Sequence, residues 1–248
     1  MKLLNHHSLK AALCGVFVAQ GLLSAAHAGE RRFAYLYEAK RYVPGEIEIE
    51  NWATWKTDDD FDRIDFRHEL EFGITERFQL GLYLANWRWQ DGVGSEYRNS
   101  AVEGIYNILN PNEHWLGLSL YGEVKFAKDF LELEPKLLLQ KNFGDFTLAY
   151  NFVVESEWEG DGLADKKGEI KNIIGLSYMP DPKFGFGIEG LHEVGIDNWD
   201  NAGKGVFYVG PNATARFGRV WLTAAALWEV TDTAEPDFQL RTLVGFHF

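Results

Sequence analysis

Charged side chains recur at every second position along much of the chain, and their types and spacing could do chemistry. Within residues 61–74, Asp65, Arg67, Glu69 and Glu71 alternate with mostly apolar neighbours. Side chains two residues apart lie on the same face of a β-strand. Such a face could line a water-filled path that attracts cations and repels anions, or its acids and bases could pair and close that path.

The predicted site is the inward-facing row of charges that this alternation selects, and we expect it to line a lumen. Its members are Arg63, Asp65, Arg67, Glu69, Glu71, Glu103, Glu123, Lys125, Glu132, Glu134, Lys136, Glu155, Lys171, Glu189, Arg216 and Arg241. Together with the other acids of the same parity, this lining contains more acids than bases. The large inward side chains Tyr83, Tyr121, Tyr208 and Trp221 favour a narrow or closed bore.

Catalysis is disfavoured by the positions of the histidines. His68, His114 and His192 fall on the face opposite to the charged row, and His247 lies almost at the end of the chain. No serine lies in a G-x-S-x-G motif, which would present a nucleophile to a base. We predict that the chain is not an enzyme, although a Ser/His pair could still be assembled in space.

Two acidic loops, residues 58–60 and 159–162, could hold calcium through hard carboxylate oxygens. Neither has the D-x-[DN]-x-[DN]-G spacing of an EF-hand loop, so solvated loops are the simpler interpretation. The sequence contains no zinc motif, phosphate loop or dinucleotide fingerprint. We therefore predict no metal and no cofactor.

Twelve segments of alternating character would position the charged row. They cover residues 45–56, 61–74, 78–90, 95–108, 114–127, 130–142, 146–158, 168–179, 183–195, 204–217, 219–230 and 237–248. Their lengths suit tilted strands that cross a bilayer, for which roughly 9 to 11 residues are needed. The sequence predicts one all-β domain over residues 45–248, a closed antiparallel transmembrane β-barrel of about twelve strands. The alternative is a soluble β protein with an aromatic-rich core.

The predicted connections also favour a barrel of the outer membrane. Those after even-numbered segments are tight, such as residues 75–77, whereas most others are longer and acidic, such as residues 159–167. Short periplasmic turns and longer outer loops are typical of these barrels. Aromatic residues near the strand ends are interpreted as two interfacial girdles. They are Trp52, Trp55, Trp87, Trp89, Trp158, Trp199 and Trp228 on the outer side, and Phe78, Phe146, Phe184 and Phe217 on the periplasmic side.

Residues 1–28 have the features of a secretory signal peptide. Lys2 and Lys10 precede or open an apolar run, and an A-x-A cleavage site ends at Ala28. A lipoprotein anchored at Cys14 is the alternative, disfavoured because the large Leu13 precedes the cysteine. Cleavage after Ala28 removes two bases and no acid, which takes the net charge from −13 to −15. So acidic a protein is a poor candidate for binding nucleic acid.

Residues 29–44 precede the first strand and mix basic with aromatic side chains. They could lie in the periplasm, or they could enter the acidic lumen as a plug. Arg31, Arg32, Lys40 and Arg41 would then complement the charge of the lining. Deletion of residues 29–43 should raise conductance if the second interpretation holds.

The final strand places Phe238, Leu240, Val244, Phe246 and Phe248 on one face. A terminal aromatic preceded by alternating apolar residues resembles the signal that the barrel-assembly machinery reads, with Phe246 and Phe248 as its central residues. Gly245 lies nearer the end than this pattern usually places its glycine.

Two further stretches, residues 44–52 and 69–83, resemble an uncharacterised family of small Gram-negative outer-membrane barrels, loosely described as transporters or porin-like proteins. The resemblance implies the fold and a location in the cell outer membrane. It implies no particular cargo.

The sequence therefore predicts a passive channel for small polar or cationic solutes. The expected partners are outer-membrane lipid with lipopolysaccharide, the barrel-assembly machinery and a small polar solute. A closed structural barrel is the first alternative, and a lipid-modifying enzyme at the rim is the second. An open lumen would distinguish the channel from the closed barrel.

Overall fold

A computed structural model describes residues 31–248, and the predicted signal peptide with Cys14 lies outside the described residues. The strands are β1 (Ile47–Asp58), β2 (Phe61–Thr75), β3 (Phe78–Gln90), β4 (Gly94–Leu109), β5 (Gly117–Ala127), β6 (Phe130–Phe143), β7 (Phe146–Glu159), β8 (Asp165–Asp181), β9 (Phe184–Asp197), β10 (Asn201–Ala202), β11 (Val206–Phe217), β12 (Val220–Glu229) and β13 (Phe238–His247). The two-residue strand β10 pairs only with β9, in the connection to β11. The other twelve strands form the wall of a barrel.

The wall is closed and antiparallel, which confirms the predicted fold class. Each wall strand pairs with its neighbours along the chain, and β9 pairs with both β8 and β11. Closure comes from β1 and β13, where Glu48 lies opposite His247 and Thr57 lies opposite Phe238. A closed sheet has no edge strand, so the backbone groups of the wall find partners without water.

The strands bury their charged faces and expose their apolar faces. In β6, Glu132 and Glu134 are 7% and 4% exposed, whereas Leu133 and Leu137 are 39% and 37% exposed. Surrounded by water, this arrangement would lose the solvation of the acids and gain nothing from the leucines. Surrounded by hydrocarbon, the leucines contact an apolar solvent, and the acids lie among other polar groups inside the barrel. The alternation of the sequence therefore sets which face becomes the lumen.

The two ends of the barrel differ in their connections. One end, called the turn-side end, holds Ile47, Phe248 and the turns that follow β2, β4, β6, β8 and β11. The opposite end is called the loop-side end, and its largest connections are residues 198–205 and 230–237.

The predicted contrast in connection length does not hold in the first half of the chain. The loop-side connection after β1 contains only residues 59 and 60, because β1 continues to Asp58. The turn-side connection after β4 is the longer segment 110–116, in which Pro111 packs on Gly117.

Most of the predicted girdle aromatics lie on the outer face near the strand ends. Trp55 and Trp87 are exposed toward the loop-side end, and the rings of Phe184 and Phe217 pack edge-on at the turn-side end with centroids 6.1 Å apart. Trp52 is the exception and is 4% exposed. Its position in β1 has the parity of the inward glutamates, so its ring lies in the lumen.

No helix within residues 31–248 is both long and apolar enough to cross a membrane.

Candidate lumen site

Residues 31–42, called the N-terminal segment, lie inside the barrel. The carbonyl oxygen of Arg31 accepts hydrogen bonds from the hydroxyls of Thr223 and Thr214, at 2.6 and 3.3 Å, near the turn-side ends of β12 and β11. At the other end of the segment, the N–H of Tyr42 donates to the carbonyl oxygen of Glu76 at 3.0 Å. The segment therefore enters and leaves the lumen at the turn-side end.

The exit of the N-terminal segment passes directly over β2. The N–H of Gly45 donates to the carbonyl oxygen of Gly73 at 2.8 Å. A Cβ atom at position 73 would lie 2.1 Å from the carbonyl oxygen of Val43. Only glycine permits this close approach of two backbones, so Gly73 leaves the space in β2 that the segment needs.

Wall side chains pair the backbone of the segment where it turns. The carboxylate of Glu189 accepts hydrogen bonds from the N–H groups of Ala34 and Tyr35, both at 2.8 Å. The amide of Asn151 accepts from the N–H of Tyr37 at 2.7 Å and donates to its carbonyl oxygen at 2.9 Å. Buried backbone groups must be paired, and here inward polar side chains pair them in place of a β-ladder.

The apolar side chains of the segment fit against a gap in the wall. Phe33 and Leu36 are fully buried against Gly175 of β8. A Cβ atom on Gly175 would lie 2.5 Å from Leu36 Cδ1 and 2.7 Å from Phe33 Cε1. The missing side chain at position 175 therefore makes room for the two large residues.

Trp52 lies at the centre of a group of aromatic rings and cations at mid-height in the lumen. The guanidinium carbons of Arg31, Arg67 and Arg241 lie 4.5, 5.1 and 5.4 Å from the centre of its ring. The ring of Tyr37, from the N-terminal segment, lies 6.1 Å from that of Trp52. Cations over aromatic faces are attracted by the ring quadrupole, so the three guanidinium groups stabilise the position of the Trp52 ring.

A second set of rings surrounds Glu103. Its carboxylate accepts hydrogen bonds from the hydroxyls of Tyr83 and Tyr121 at 2.9 Å and of Tyr37 at 3.2 Å. Lys136 lies over the Tyr121 ring, with its Nζ 3.9 Å from the centroid. Large side chains thus fill the mid-lumen, as their inward parity suggested.

Water-accessible space lies mainly on the loop side of the N-terminal segment. A cavity of about 700 Å³, called the vestibule, opens at the loop-side end among β1, β2, β7, β8 and β9. A smaller cavity of about 130 Å³ lies deeper, and Tyr35 and Trp52 contribute to its walls. On the turn side of these residues, the cavities that Tyr42 lines measure only about 10 Å³ each.

The charges of the vestibule are largely paired. Lys171 lies 2.7, 3.1 and 3.7 Å from carboxylate oxygens of Glu155, Glu169 and Glu193. The lining contains six acids and five bases, so the vestibule carries far less excess negative charge than a count of inward acids implies.

The neighbouring wall of β5 and β6 is paired in the same way. Lys125 lies 2.6 and 2.5 Å from Glu132 and Glu134, and Lys136 lies 2.6 Å from the second oxygen of Glu134. Two lysines thus neutralise two acids that the sequence analysis had placed in an acidic lining.

The remaining predicted residues fall into three places. Asp65 lies 3.0 Å from Arg63 and 2.7 Å from Arg88, and Arg67 pairs with the buried Glu123. Arg216 is half-buried near the turn-side end of β11. The buried acids of the turn-side half of the wall include Glu48, Glu50, Glu69, Glu71, Glu103 and Glu189. The structure therefore separates a paired loop-side set from a turn-side set rich in acids.

Sequence reasoning missed Lys56, Arg88 and Arg98 as lumen residues. Lys56 continues the inward parity of β1 and could have been found by counting. The parity of β3 reverses at irregular pairing between Tyr83 and Asn86, which turns Arg88 inward. Such a bulge has no clear signal in one sequence, so Arg88 could be found only in the folded chain.

The histidines are distributed over the two faces of the wall. His68 is exposed on the outer face, where its Nδ1 lies 2.8 Å from the side-chain oxygen of Asn51. His247 is buried at the turn-side end, with its Nδ1 3.2 and 3.5 Å from carboxylate oxygens of Glu46 and Glu48.

A salt bridge outside the wall fixes the end of the N-terminal segment. Arg41 lies 3.2 Å from Glu113 in the connection after β4. A hydrogen bond from the Asn110 side chain, together with the charge of Arg41, lowers the pKa of Glu113.

The chain matches the model of DUF6662, a family of unknown function, over residues 25–236. It belongs to this family. No curated protein matches the sequence.

Solved structures with the same architecture include an outer-membrane channel from Pseudomonas putida F1. This DUF6662 barrel shares 12% identity with that channel at a TM-score of 0.63, with 85% of this chain and 98% of the other covered. The NanC porin gives 9% identity, a TM-score of 0.56, and coverage of 81% and 98%. The KdgM porin in complex with disordered oligogalacturonate gives 10% identity, a TM-score of 0.52, and coverage of 82% and 99%. These similarities establish the barrel fold.

Proposed function

We propose that the chain is an outer-membrane channel for small polar solutes, and that the N-terminal segment closes its turn-side half. One observation carries the proposal: a closed barrel, apolar outside and polar inside, contains a vestibule of about 700 Å³. A purely structural barrel would need no cavity of this size. The deeper cavity of about 130 Å³ shares Glu155, Lys171 and Glu193 with the vestibule and reaches Tyr35 of the N-terminal segment. The proposal involves no catalytic step.

The proposed location is the cell outer membrane. Outward leucines and phenylalanines, such as Leu133 and Phe152, would meet the lipid, and the exposed tryptophans would lie at its loop-side surface. The turn-side end would face the periplasm, because both ends of the barrel domain lie there. Lipid and lipopolysaccharide are the proposed partners of this outer surface.

The proposed solutes are small, polar and neutral or cationic. Support for the cation preference comes from the turn-side acids, including Glu48, Glu50, Glu69 and Glu71, which the N-terminal segment covers. If the segment withdrew, these carboxylates would line the narrow part of the path and Arg31 would leave with it. Rings of carboxylates favour cations over anions.

The experiment is single-channel recording in a planar bilayer across a salt gradient. The mature protein is expected to show brief openings, and a variant without residues 31–42 is expected to show long ones with a cation-selective reversal potential. Heat-modifiable migration in gels would verify that each barrel is folded. The channel proposal would be overturned if the folded barrel passes no current either with or without the segment.

A closed structural barrel remains a second candidate because of one observation, the dense packing around Phe33, Leu36 and Trp52. A closed structural barrel predicts that neither the mature protein nor the variant without residues 31–42 passes current in the same recordings. An increase in current on removal of the segment would exclude it.

We further propose that Phe246 and Phe248 form the assembly signal for the barrel machinery. Both rings are exposed on the outer face and pack edge-on with centroids 5.2 Å apart. The N–H of Phe248 donates to the carbonyl oxygen of Ile47 at 3.0 Å, so the signal lies where the barrel closes.

A further inference from the structure

Three carboxylates converge in the turn-side half of the lumen. Glu50 of β1 lies directly across the ladder from Glu69 of β2, and Glu71 is the next inward residue of β2. One oxygen of each carboxylate lies within 4.8 Å of the other two. All three residues are buried, at 0%, 1% and 6% exposure. Three like charges this close repel strongly when water is excluded.

A second carboxylate triad in the same lumen provides a comparison. Glu132, Glu134 and Glu155 also lie within 4.8 Å of one another. Lys125 lies 2.6 and 2.5 Å from the first two, and Lys171 lies 2.7 Å from the third. Ammonium groups thus occupy the positions from which a cation would neutralise this triad.

The first triad has much weaker compensation. Arg31 lies 3.4 Å from Glu50, a longer distance than those between the lysines and the acids of the second triad. Glu48 adds a fourth buried carboxylate beside it, and Lys40 lines a neighbouring cavity with Glu71. The carboxylates of this region outnumber its cations, and a divalent ion would compensate the excess negative charge.

Buried polar atoms without a hydrogen-bond partner are a second observation at this triad. Neither carboxylate oxygen of the buried Glu69, nor Oε2 of Glu50, has a hydrogen-bond partner in residues 31–248. The Tyr42 hydroxyl is also buried without a partner, and Tyr42 lines a cavity of about 10 Å³ with Glu48 and Glu71. Buried polar atoms are rarely left unpaired, and a cavity of this size suits one water molecule or ion.

We propose that Glu50, Glu69 and Glu71 bind one divalent cation of the calcium type. Calcium accepts six to eight oxygen ligands in flexible geometry, and three carboxylates can offer six oxygens. Magnesium would retain several water molecules, for which this packed region has little space. The ion would join β1 to β2 beside the N-terminal segment, and its binding does not depend on whether the barrel conducts.

The test uses the whole protein purified in detergent, stripped with a chelator and titrated with Ca²⁺ in a calorimeter. One ion per chain is expected, and the double variant Glu69→Gln/Glu71→Gln should weaken binding by roughly 100-fold or more. The matched control is Glu132→Gln/Glu134→Gln, which should bind as the original chain does. Gel migration before and after heating would check that each variant forms a barrel.

A second measurement avoids dependence on the variants. Tb³⁺ added to the unaltered protein should luminesce through excitation of neighbouring tyrosines such as Tyr42 and Tyr83, and Ca²⁺ should displace it. Absence of any saturable one-to-one site in the unaltered protein would overturn the proposal. The proposal would also be overturned if the folded Glu69→Gln/Glu71→Gln variant binds Ca²⁺ as the original chain does, or if only the control variant loses binding.

Discussion

Glu189 is the wall residue whose replacement should most directly release the N-terminal segment. Its carboxylate is fully buried and accepts hydrogen bonds from two consecutive backbone N–H groups, those of Ala34 and Tyr35, and from Asn212, each at 2.8 Å. The two backbone bonds exist only while the segment is docked. Their loss therefore acts on docking more than on the wall.

The size of the effect follows from the number of bonds. Hydrogen bonds to a charged group contribute roughly 1.5 to 3 kcal/mol each. Glu189→Ala removes both backbone bonds, so docking should weaken by at least about 3 kcal/mol, which corresponds to roughly a 100-fold change in the docking equilibrium. Glu189→Gln retains one acceptor oxygen and should weaken docking by about 1.5 kcal/mol, or roughly tenfold.

The assay is the ratio of open to closed time in single-channel records, with protease sensitivity of the segment as an independent readout. Both should rise in the order unaltered, Glu189→Gln, Glu189→Ala. Glu157→Gln is the control, because Glu157 lines the vestibule at the loop-side end, away from the segment, and pairs with Lys167 at 3.4 Å. Equal open times in all four folded proteins would refute the reasoning.

Three further changes test other parts of the lumen. Gly175→Val should undock the segment and lengthen channel openings, since the valine side chain would overlap Phe33 and Leu36. Gly195→Val is the control and should leave the openings unchanged, because position 195 faces open space. Equal open times in the two variants would contradict this prediction. Lys171→Met leaves three vestibule acids without their shared ammonium, so the reversal potential should move in the cation-selective direction, whereas the exposed Lys128→Met should leave it unchanged. Removal of Phe248 should lower the yield of folded barrel in cells several-fold, and an unaltered yield would disprove its role as a signal.

The parts of the fold that could be predicted are those that depend on local alternation. Residues two apart share a face whatever the rest of the chain does, so the inward parity of Glu69, Glu103 and Tyr121 followed from counting. The strand number followed in the same way, because each crossing needs a similar length. Parity counting failed where the ladder slips, as in β3, because a bulge depends on pairing with a distant strand.

Charge pairing across the lumen could not be predicted. The alternation placed Arg67 of β2 and Glu123 of β5 on inward faces, but these strands are not neighbours, and the distance between the two side chains depends on the curvature of the closed wall. Trp52 was interpreted as a girdle residue from its type and its closeness to a strand end, although its parity indicated the lumen. In the structure its ring lies in the lumen among Arg31, Arg67 and Arg241.

Alternation along the sequence was enough to predict a closed barrel of about twelve strands and the identity of most lumen side chains, because a strand of alternating polarity has only one stable orientation in lipid. The sequence left residues 29–44 either in the periplasm or inside the barrel, and only the folded chain shows what fills the lumen. The position of residues 31–42 depends on Asn151, Gly175 and Glu189, which lie on the neighbouring strands β7, β8 and β9 but more than 100 residues from the segment along the chain. Contacts between segments so distant in the chain form only when the barrel folds around residues 31–42, so no periodicity in the sequence can specify them.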